Sequence, residues 1–353
     1  AKTLFPYTTL FRSDVDYEIL PAVFDPVAAM APDAPILHDK GDAERGNVYV
    51  AIKGEIGNVE EGFAAADFVH EMTYSTSRVQ HAHLETHGSL AWTGPDGRLH
   101  VRTSSQAPFI TQQKLCYLFG LRVRDVHVFT ERVGGGFGGK QEMLSEDLCV
   151  LATLKLGRPV QWEFTRPEQF TGASTRHPMT TRVKLGAKRD GTLTAIELEV
   201  VSNTGAYGNH AGETLAASLG SPFTAYRCAN KKADGVAVYT NMVPAGGFRG
   251  YGASQTTFAM ESAMDELARR LDIEPFALRR INMVRQGDWI ESVWQDPTDV
   301  DFGSYGLDQC LDLVEAALAR EGGAAKPEGA DWAEGTGMAM AMLECGPPTE
   351  HRG

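Results

Sequence analysis

The sequence predicts an α+β fold of mixed sheets with helices packed against them. Three observations carry this. Several short runs alternate apolar and polar residues, the period of a half-buried strand. Longer segments between them place apolar residues near 3.6 spacing, the period of an amphipathic helix. An Asp190-Gly191 pair joins two alternating runs, a local sign of an antiparallel hairpin.

Taken in order, Val15 to Leu20 and Val48 to Ile52 read as short strands, and residues 55–67, acidic and alanine-rich, as a short helix. Residues 68–92 alternate, and Leu99 to Thr103 forms a further strand. Gln106 opens a helical segment with Ile110, Leu115, Cys116 and Leu118 near helical spacing. Val126 to Phe129 is a strand. Met143 to Leu156 is a helix, with Leu144, Leu148, Leu151, Ala152 and Lys155 along one side, stopped by Gly157 and Pro159. Val160, Trp162 and Phe164 alternate as a strand. Arg182 to Leu185 and Thr192 to Val201 pair as the hairpin, with Ile196, Leu198 and Val200 turned inward. Ser254 caps a helix reaching Leu271 that buries Phe258, Met264, Leu267 and Leu271, and Pro275 starts another reaching Asn282. The stretch from Gly322 to Gly335 has the composition of a linker.

At 353 residues the chain is long enough for more than one core. A net charge of −13 argues against nucleic acid or an anionic membrane surface as partner. No apolar run approaches the ~20 residues that span a bilayer. The five cysteines are scattered, with no Cys-x-x-Cys, so neither a zinc nor an iron–sulfur site is encoded and a reducing cytoplasm is expected.

The chemistry concentrates in glycine. Gly134 to Gly139 reads GGGFGG, followed by Lys140, and a second motif, Gly247-Phe248-Arg249-Gly250-Tyr251-Gly252, lies further on. Without a Cβ, such a chain takes φ > 0 and brings bare N–H groups onto a charged or oxo-rich ligand. A polar helix-forming run follows, so a helix N-terminus is expected to add its dipole. The first motif is not a P-loop, because Gln141 follows Lys140 and no hydroxyl is placed for magnesium. No acidic residue follows at the ribose-binding distance of a dinucleotide fold either. His81, His83, Glu85 and His87 alternate as on one face of a strand, which permits either a metal site or a hydrogen-bonded structural role.

GGGFGGK, FRGYG and the earlier QHAHLETH, in this order and spacing, resemble the molybdenum-binding large subunit of the xanthine dehydrogenase and aldehyde oxidoreductase family. The resemblance covers nearly the whole chain from Asp14. It implies the molybdopterin-binding domain of a molybdenum hydroxylase. Gln106, 31 residues before Phe137, matches the glutamine that bonds an oxo ligand of molybdenum. Gly135, Gly136, Phe137, Gly138 and Arg249 match cofactor-binding positions, and Gln141 and Tyr251 substrate-facing ones. No side chain of this chain is implied as a direct metal ligand, and the family's histidine-containing strand here carries no metal. The implied cofactor is molybdenum–molybdopterin, in its cytosine dinucleotide form, with iron–sulfur clusters and FAD on partner subunits or domains. The implied assembly is a dimer of heteromers acting on a small molecule.

The resemblance also sets boundaries. Thr3 to Ser13 reads TLFPYTTLFRS, the in-frame translation of a common sequencing-library adapter, so residues 1–13 are set aside as an artefact. Residues 14–50 are expected to be a remnant of an α/β hammerhead-like domain, 51–321 the first molybdopterin-binding domain, and 322–353 a linker and the start of a truncated second one. The family's base glutamate is expected beyond Gly353, so the fragment alone is expected to be inactive. Where animal purine oxidisers carry glutamate this chain has Gln141, and where they carry a substrate-facing arginine it has Ala217 or Ser218. The substrate expected is therefore an N-heteroaromatic, xanthine-like or otherwise, or an aldehyde. A phosphate-binding module or a non-catalytic half-subunit is the alternative.

Overall fold

The computed structural model describes residues 16–38, 46–288, 293, 304–320, 329, 331–333 and 335–342. The adapter-like segment and most of the expected linker lie outside the described residues. The elements are, in order, α1 (Pro26–Ala29), β1 (Val48–Ile56), α2 (Val59–Ala64), β2 (Phe68–Ser75), β3 (Gly88–Thr93), β4 (Leu99–Thr103), α3 (Pro108–Phe119) and β5 (Val126–Phe129). There follow α4 (Glu146–Leu156), β6 (Val160–Glu163), α5 (Arg166–Gly172), β7 (Met179–Ala187), β8 (Leu193–Gly205) and α6 (Ala211–Gly220). Last come β9 (Lys231–Tyr239), α7 (Ala253–Leu271), α8 (Pro275–Asn282) and α9 (Leu307–Leu318).

Two mixed sheets result, in agreement with the α+β expectation. The larger runs β1-β9-β8-β7-β2 and the smaller β5-β4-β3-β6. Each holds one parallel pair, β8 with β9 and β4 with β5. A parallel pair needs a crossover, and helices α6 and α3 provide them. Against the larger sheet, α6, α7 and α8 bury Leu215, Leu219, Met260, Met264, Leu267 and Leu278 over Val183, Leu185, Ile196 and Leu198. Each such side chain contributes about 1.5–3 kcal/mol on burial. The smaller sheet has its own core of Val101, Leu115, Val126, Cys149 and Val150.

The hairpin closes as expected. Gly191 sits at φ +90°, and a Cβ there would lie 3.0–3.1 Å from the terminal methyls of Ile273, Ile281 and Leu278. Gly191→Ala is expected to lower stability by about 1–2 kcal/mol. Gly212→Ala, in α6 with open space around it, should leave stability unchanged or raise it by about 0.5–1 kcal/mol. Equal denaturation midpoints for the two variants would show that the turn is not strained.

Several expectations are corrected. Residues 16–20 are in no strand, and Tyr17 and Ile19 are exposed. Residues 76–87 leave the sheet, so the histidine cluster lies on an extended connection between β2 and β3 rather than on a strand. Helix α3 begins at Pro108, after Gln106, and Ile110 and Leu118 are exposed. Helix α4 buries Glu146, Cys149, Val150 and Thr153, while Leu148, Leu151, Leu154 and Leu156 face outward. The inward stripe has the same period but is anchored by polar bonds, Thr153 Oγ1 to Ala91 O (3.0 Å) and Thr103 Oγ1 to Glu146 Oε1 (2.7 Å). Helix α7 is capped at Gly252, not Ser254, and Phe258 is exposed while small residues such as Ala259 and Ala263 meet the sheet. No described helix is long and apolar enough to cross a membrane.

Candidate active site

The first glycine loop leaves β5 on the smaller sheet. Segments 104–106 and 138–140 run side by side, with the Gln106 N–H donating to Lys140 O (2.7 Å). The Gln106 side chain is locked in the same way. Its Oε1 accepts from the N–H groups of Gly138 (2.9 Å) and Lys140 (3.3 Å). Two N–H donors fix that atom as the oxygen, so the amide NH₂ is the end left to donate outward. A Cβ on Gly136 would lie 2.4 Å from that oxygen, so any side chain there would displace the amide. The N–H groups of Gly135, Gly136 and Phe137 have no partner among the described residues. Phe137, at φ +53°, is half exposed.

The expected helix dipole is absent from this loop. Residues 141–145 separate it from α4, and Glu146 itself accepts the N–H groups of Leu144 (3.1 Å) and Ser145 (3.0 Å).

The second glycine motif comes from the larger sheet and packs directly on the first. A Cβ on Gly138, at φ +96°, would lie 2.8 Å from the carbonyl of Gly247. The Arg249 N–H donates to Phe137 O (2.8 Å). Phe248 is held between the His81 ring, stacked at 4.0 Å, and the Arg176 guanidinium at 3.8 Å. Arg176 also donates to Arg249 O (3.0 Å) and Ser254 Oγ (3.0 Å), which fixes the turn. The Arg249 side chain is exposed. Gln141 reaches the same turn, and its buried Oε1 has no partner among the described residues. Tyr251, at φ +45°, meets His210 Nδ1 through its hydroxyl. Burial pushes that phenol up to about 12, so it stays a donor at neutral pH. Ser218 is fully buried, its hydroxyl bonded to Leu215 O (2.7 Å), so neither it nor Ala217 offers a charge here.

The histidines brace the loop. His81 Nε2 bonds Gly247 O (2.7 Å), and His87 bonds Gln169 Oε1 (2.9 Å) and Gly139 O (2.9 Å). Burial pushes His81 and His83 down to about 4, so they are neutral near pH 7. Among the described residues no three or more His, Cys, Asp and Glu are placed to hold a metal ion. Lys140 is fully buried and donates to Glu85 Oε2 (2.7 Å) and Ser104 Oγ (2.7 Å). Glu85 also accepts from the Gly134 N–H (2.7 Å), so one ion pair ties both ends of the loop. Burial alone would raise the Glu85 carboxyl, but these donors hold it below its usual range. A cavity of about 240 Å³ opens beyond Glu85, lined also by Arg102, Glu131 and Arg132. Gln106, Phe137, Arg249 and Tyr251 do not line it.

The structure thus joins Gln106 to the first loop and Phe137 to Arg249, with Tyr251 on the second turn and Gln141 packed against it. Sequence reasoning missed Arg176, Glu142 and His210. None of these lies in a motif, and only the tertiary fold brings them to the turn.

The two glycine turns and the outward-facing amide make a cradle of bare backbone donors rather than a metal centre built from side chains. Residues 39–283 match the molybdopterin cofactor-binding domain, and the chain belongs to that family. It is 34% identical over 374 residues, 95% of this chain and 39% of the relative, to a protein named as a probable hypoxanthine oxidase in Escherichia coli. It is 37% identical over 306 residues, 84% of this chain and 38% of the relative, to a xanthine dehydrogenase molybdenum-binding subunit, also of Escherichia coli. Among solved structures, the aldehyde oxidoreductase of Desulfovibrio gigas superposes with a TM-score of 0.80 at 30% identity, covering 86% of this chain and 32% of that one. The chain therefore spans about two fifths of the length of the two curated relatives.

Proposed function

We propose that this chain is the first molybdopterin-binding domain, residues 51–321, of a molybdenum hydroxylase, preceded at 14–50 by the remnant of another domain and followed from 322 by the start of a second cofactor-binding one. The substrate is an electron-poor N-heteroaromatic, xanthine-like, or an aldehyde. The observation that carries this is the locked amide of Gln106, held by the Gly138 and Lys140 N–H groups with its NH₂ free to donate.

The residues fit the group. The unclaimed N–H groups of Gly135, Gly136 and Phe137 suit the oxygen-rich end of a molybdenum cofactor. The Arg249 guanidinium suits its anionic part. When bound, that cofactor supplies the oxygen transfer and takes up the substrate's electron pair. Gln106 orients and donates a neutral hydrogen bond without adding charge. Gln141, packed beside the Gly247 turn, is the substrate-facing amide of this reading, and Tyr251 offers a ring face to a flat substrate. The cytosine dinucleotide form of the cofactor, a base glutamate outside this chain, and iron–sulfur and FAD partners in a dimer of heteromers complete the reading.

Gln106→Ala in the complete enzyme should leave molybdenum content unchanged and lower turnover about a hundredfold, the scale of losing one oriented donor. Molybdenum assay beside steady-state kinetics decides it. Undiminished turnover would remove Gln106 from the mechanism.

A further inference from the structure

The smaller sheet has two faces. Leu99, Val101, Val126 and Val128 point toward the helices and are buried with Leu115 and Cys149. Alternation along a strand turns His100 and His127 to the other face. There His127 is exposed, and the His100 side chain keeps 19% of its surface open. The two stand opposite each other across the parallel β4–β5 pair. Their Nδ1 atoms are 3.3 Å apart.

Packing fixes both rings. Trp92, opposite His100 on β3, stacks on it at 5.3 Å and 13°, and Phe129 stacks on His127 at 5.1 Å and 23°. Trp92 and Phe129 meet edge-on at 6.2 Å. The β3–β4 turn brings a carboxylate to the far nitrogen of His100, with Asp96 Oδ1 3.4 Å from Nε2. Gly94 leaves room for this approach, since a Cβ there would lie 2.7 Å from both atoms. The Arg98 N–H donates to Asp96 Oδ1 (3.1 Å) and holds that carboxyl below its usual range. An ionised carboxylate only accepts, so the His100 proton sits on Nε2 and the lone pair of Nδ1 faces His127.

We propose that His100 and His127 bind one divalent transition-metal ion, of the zinc class, through their Nδ1 atoms, tying β4 to β5 on the exposed face of the smaller sheet. Two nitrogens bound at ~2.0–2.1 Å to a tetrahedral ion stand ~3.3–3.4 Å apart, so the rings are already spaced as ligands. Imidazole suits zinc, copper and nickel, whereas calcium and magnesium take oxygen donors. A carboxylate on the outer nitrogen of a ligating imidazole orients the ring and raises its basicity. The pair supplies two ligands and water the rest, in keeping with the absence of any candidate cluster of three or more among the described residues. Arg102, two residues past His100 on the same face, is paired with Glu131 (2.9 Å). The net charge of −13 favours a cation. Strand β4 runs on to Gln106 and β5 to the loop at Gly134, so the ion holds the base from which both site segments leave.

Zinc chloride titrated calorimetrically into the untagged 353-residue chain should reveal one site with Kd of roughly 1–100 μM, about half the binding free energy of a four-ligand zinc site. Nitrogen-15 spectra should show the Nδ1 resonances of His100 and His127 moving with zinc while both Nε2 atoms keep their protons. His100→Gln and His127→Gln should each weaken binding at least about tenfold, and the double variant should abolish it. Asp96→Asn, which keeps both ligands, should weaken it about tenfold. Zinc should raise Tm of the chain and leave that of the double variant where it was. No saturation by about 1 mM zinc would mean that the two imidazoles share a proton instead, and would overturn the site. Undiminished binding by the double variant would place the ion elsewhere and overturn it equally. Should the variants fail to fold, the imidazole spectra of the unaltered chain still decide, since unmoved Nδ1 resonances sink the proposal. No readout here uses turnover, so the outcome is independent of the molybdenum-hydroxylase reading.

Discussion

Arg279→Ala is expected to destabilise the chain by about 3–5 kcal/mol, the cost of leaving a buried charge without its partner. Arg279 is fully buried and donates to Glu261 Oε2 (2.9 Å), Asp265 Oδ1 (2.7 Å) and the carbonyls of Glu261 (3.2 Å) and Met338 (3.2 Å). Glu261 also accepts from the Tyr226 hydroxyl and the Met340 N–H (2.8 Å). Burial pushes the Tyr226 phenol well above its usual range, so it remains a donor. Truncating Arg279 would strand the Glu261 carboxylate among α7, α8 and residues 338–340. Arg280, one residue on, pairs with Asp312 (2.6 Å) and Glu315 (2.5 Å) at the surface. Arg280→Ala should cost at most about 1 kcal/mol. Urea denaturation of both variants checks the contrast, and similar midpoints would mean that the buried network contributes no more than the exposed one.

Acid is expected to act almost as strongly. Burial pushes His81, His83 and His177 down to about 4 from the ordinary 6.5. Their folded values lie below the unfolded one, so the unfolded chain binds more protons between pH 6.5 and 4. Stability is therefore full above pH 6.5 and falls as pH drops through that window. By pH 5 each histidine has removed about 2 kcal/mol. Carboxylates with depressed values act in the same direction, but mostly below that range. Thermal melts at pH 7.5 and 5.0 should show a fall in Tm of ten degrees or more, and a flat Tm across that interval would contradict the buried, neutral state of these imidazoles.

Much of this was legible in the chain. The strand at 126–129, the hairpin around Gly191, Gly157 as a helix stop and Pro275 as a helix start follow from local rules, and each stands in the structure. What local rules could not supply was orientation. The outward leucines of α4 and the exposed Phe258 obey helical periodicity, but the face turned inward is chosen by the sheet and not by the helix. The site divides in the same way. The two glycine motifs announce close backbone approach, and the structure brings them into contact. The place of His210 beside Tyr251 was invisible, because the two lie 41 residues apart in sequence.

The two glycine turns come from different cores. Gln106 and the 134–139 loop hang from the smaller sheet, and the 246–252 turn from the larger, joined at Phe137 and Arg249. A ligand seated on both would act as a clamp between them. Its binding free energy would then add to the docking of one core on the other, and the loaded protein would melt as one unit at a temperature that rises with ligand concentration. A mutation deep in either core, far from the glycines, could empty the site simply by letting the halves part.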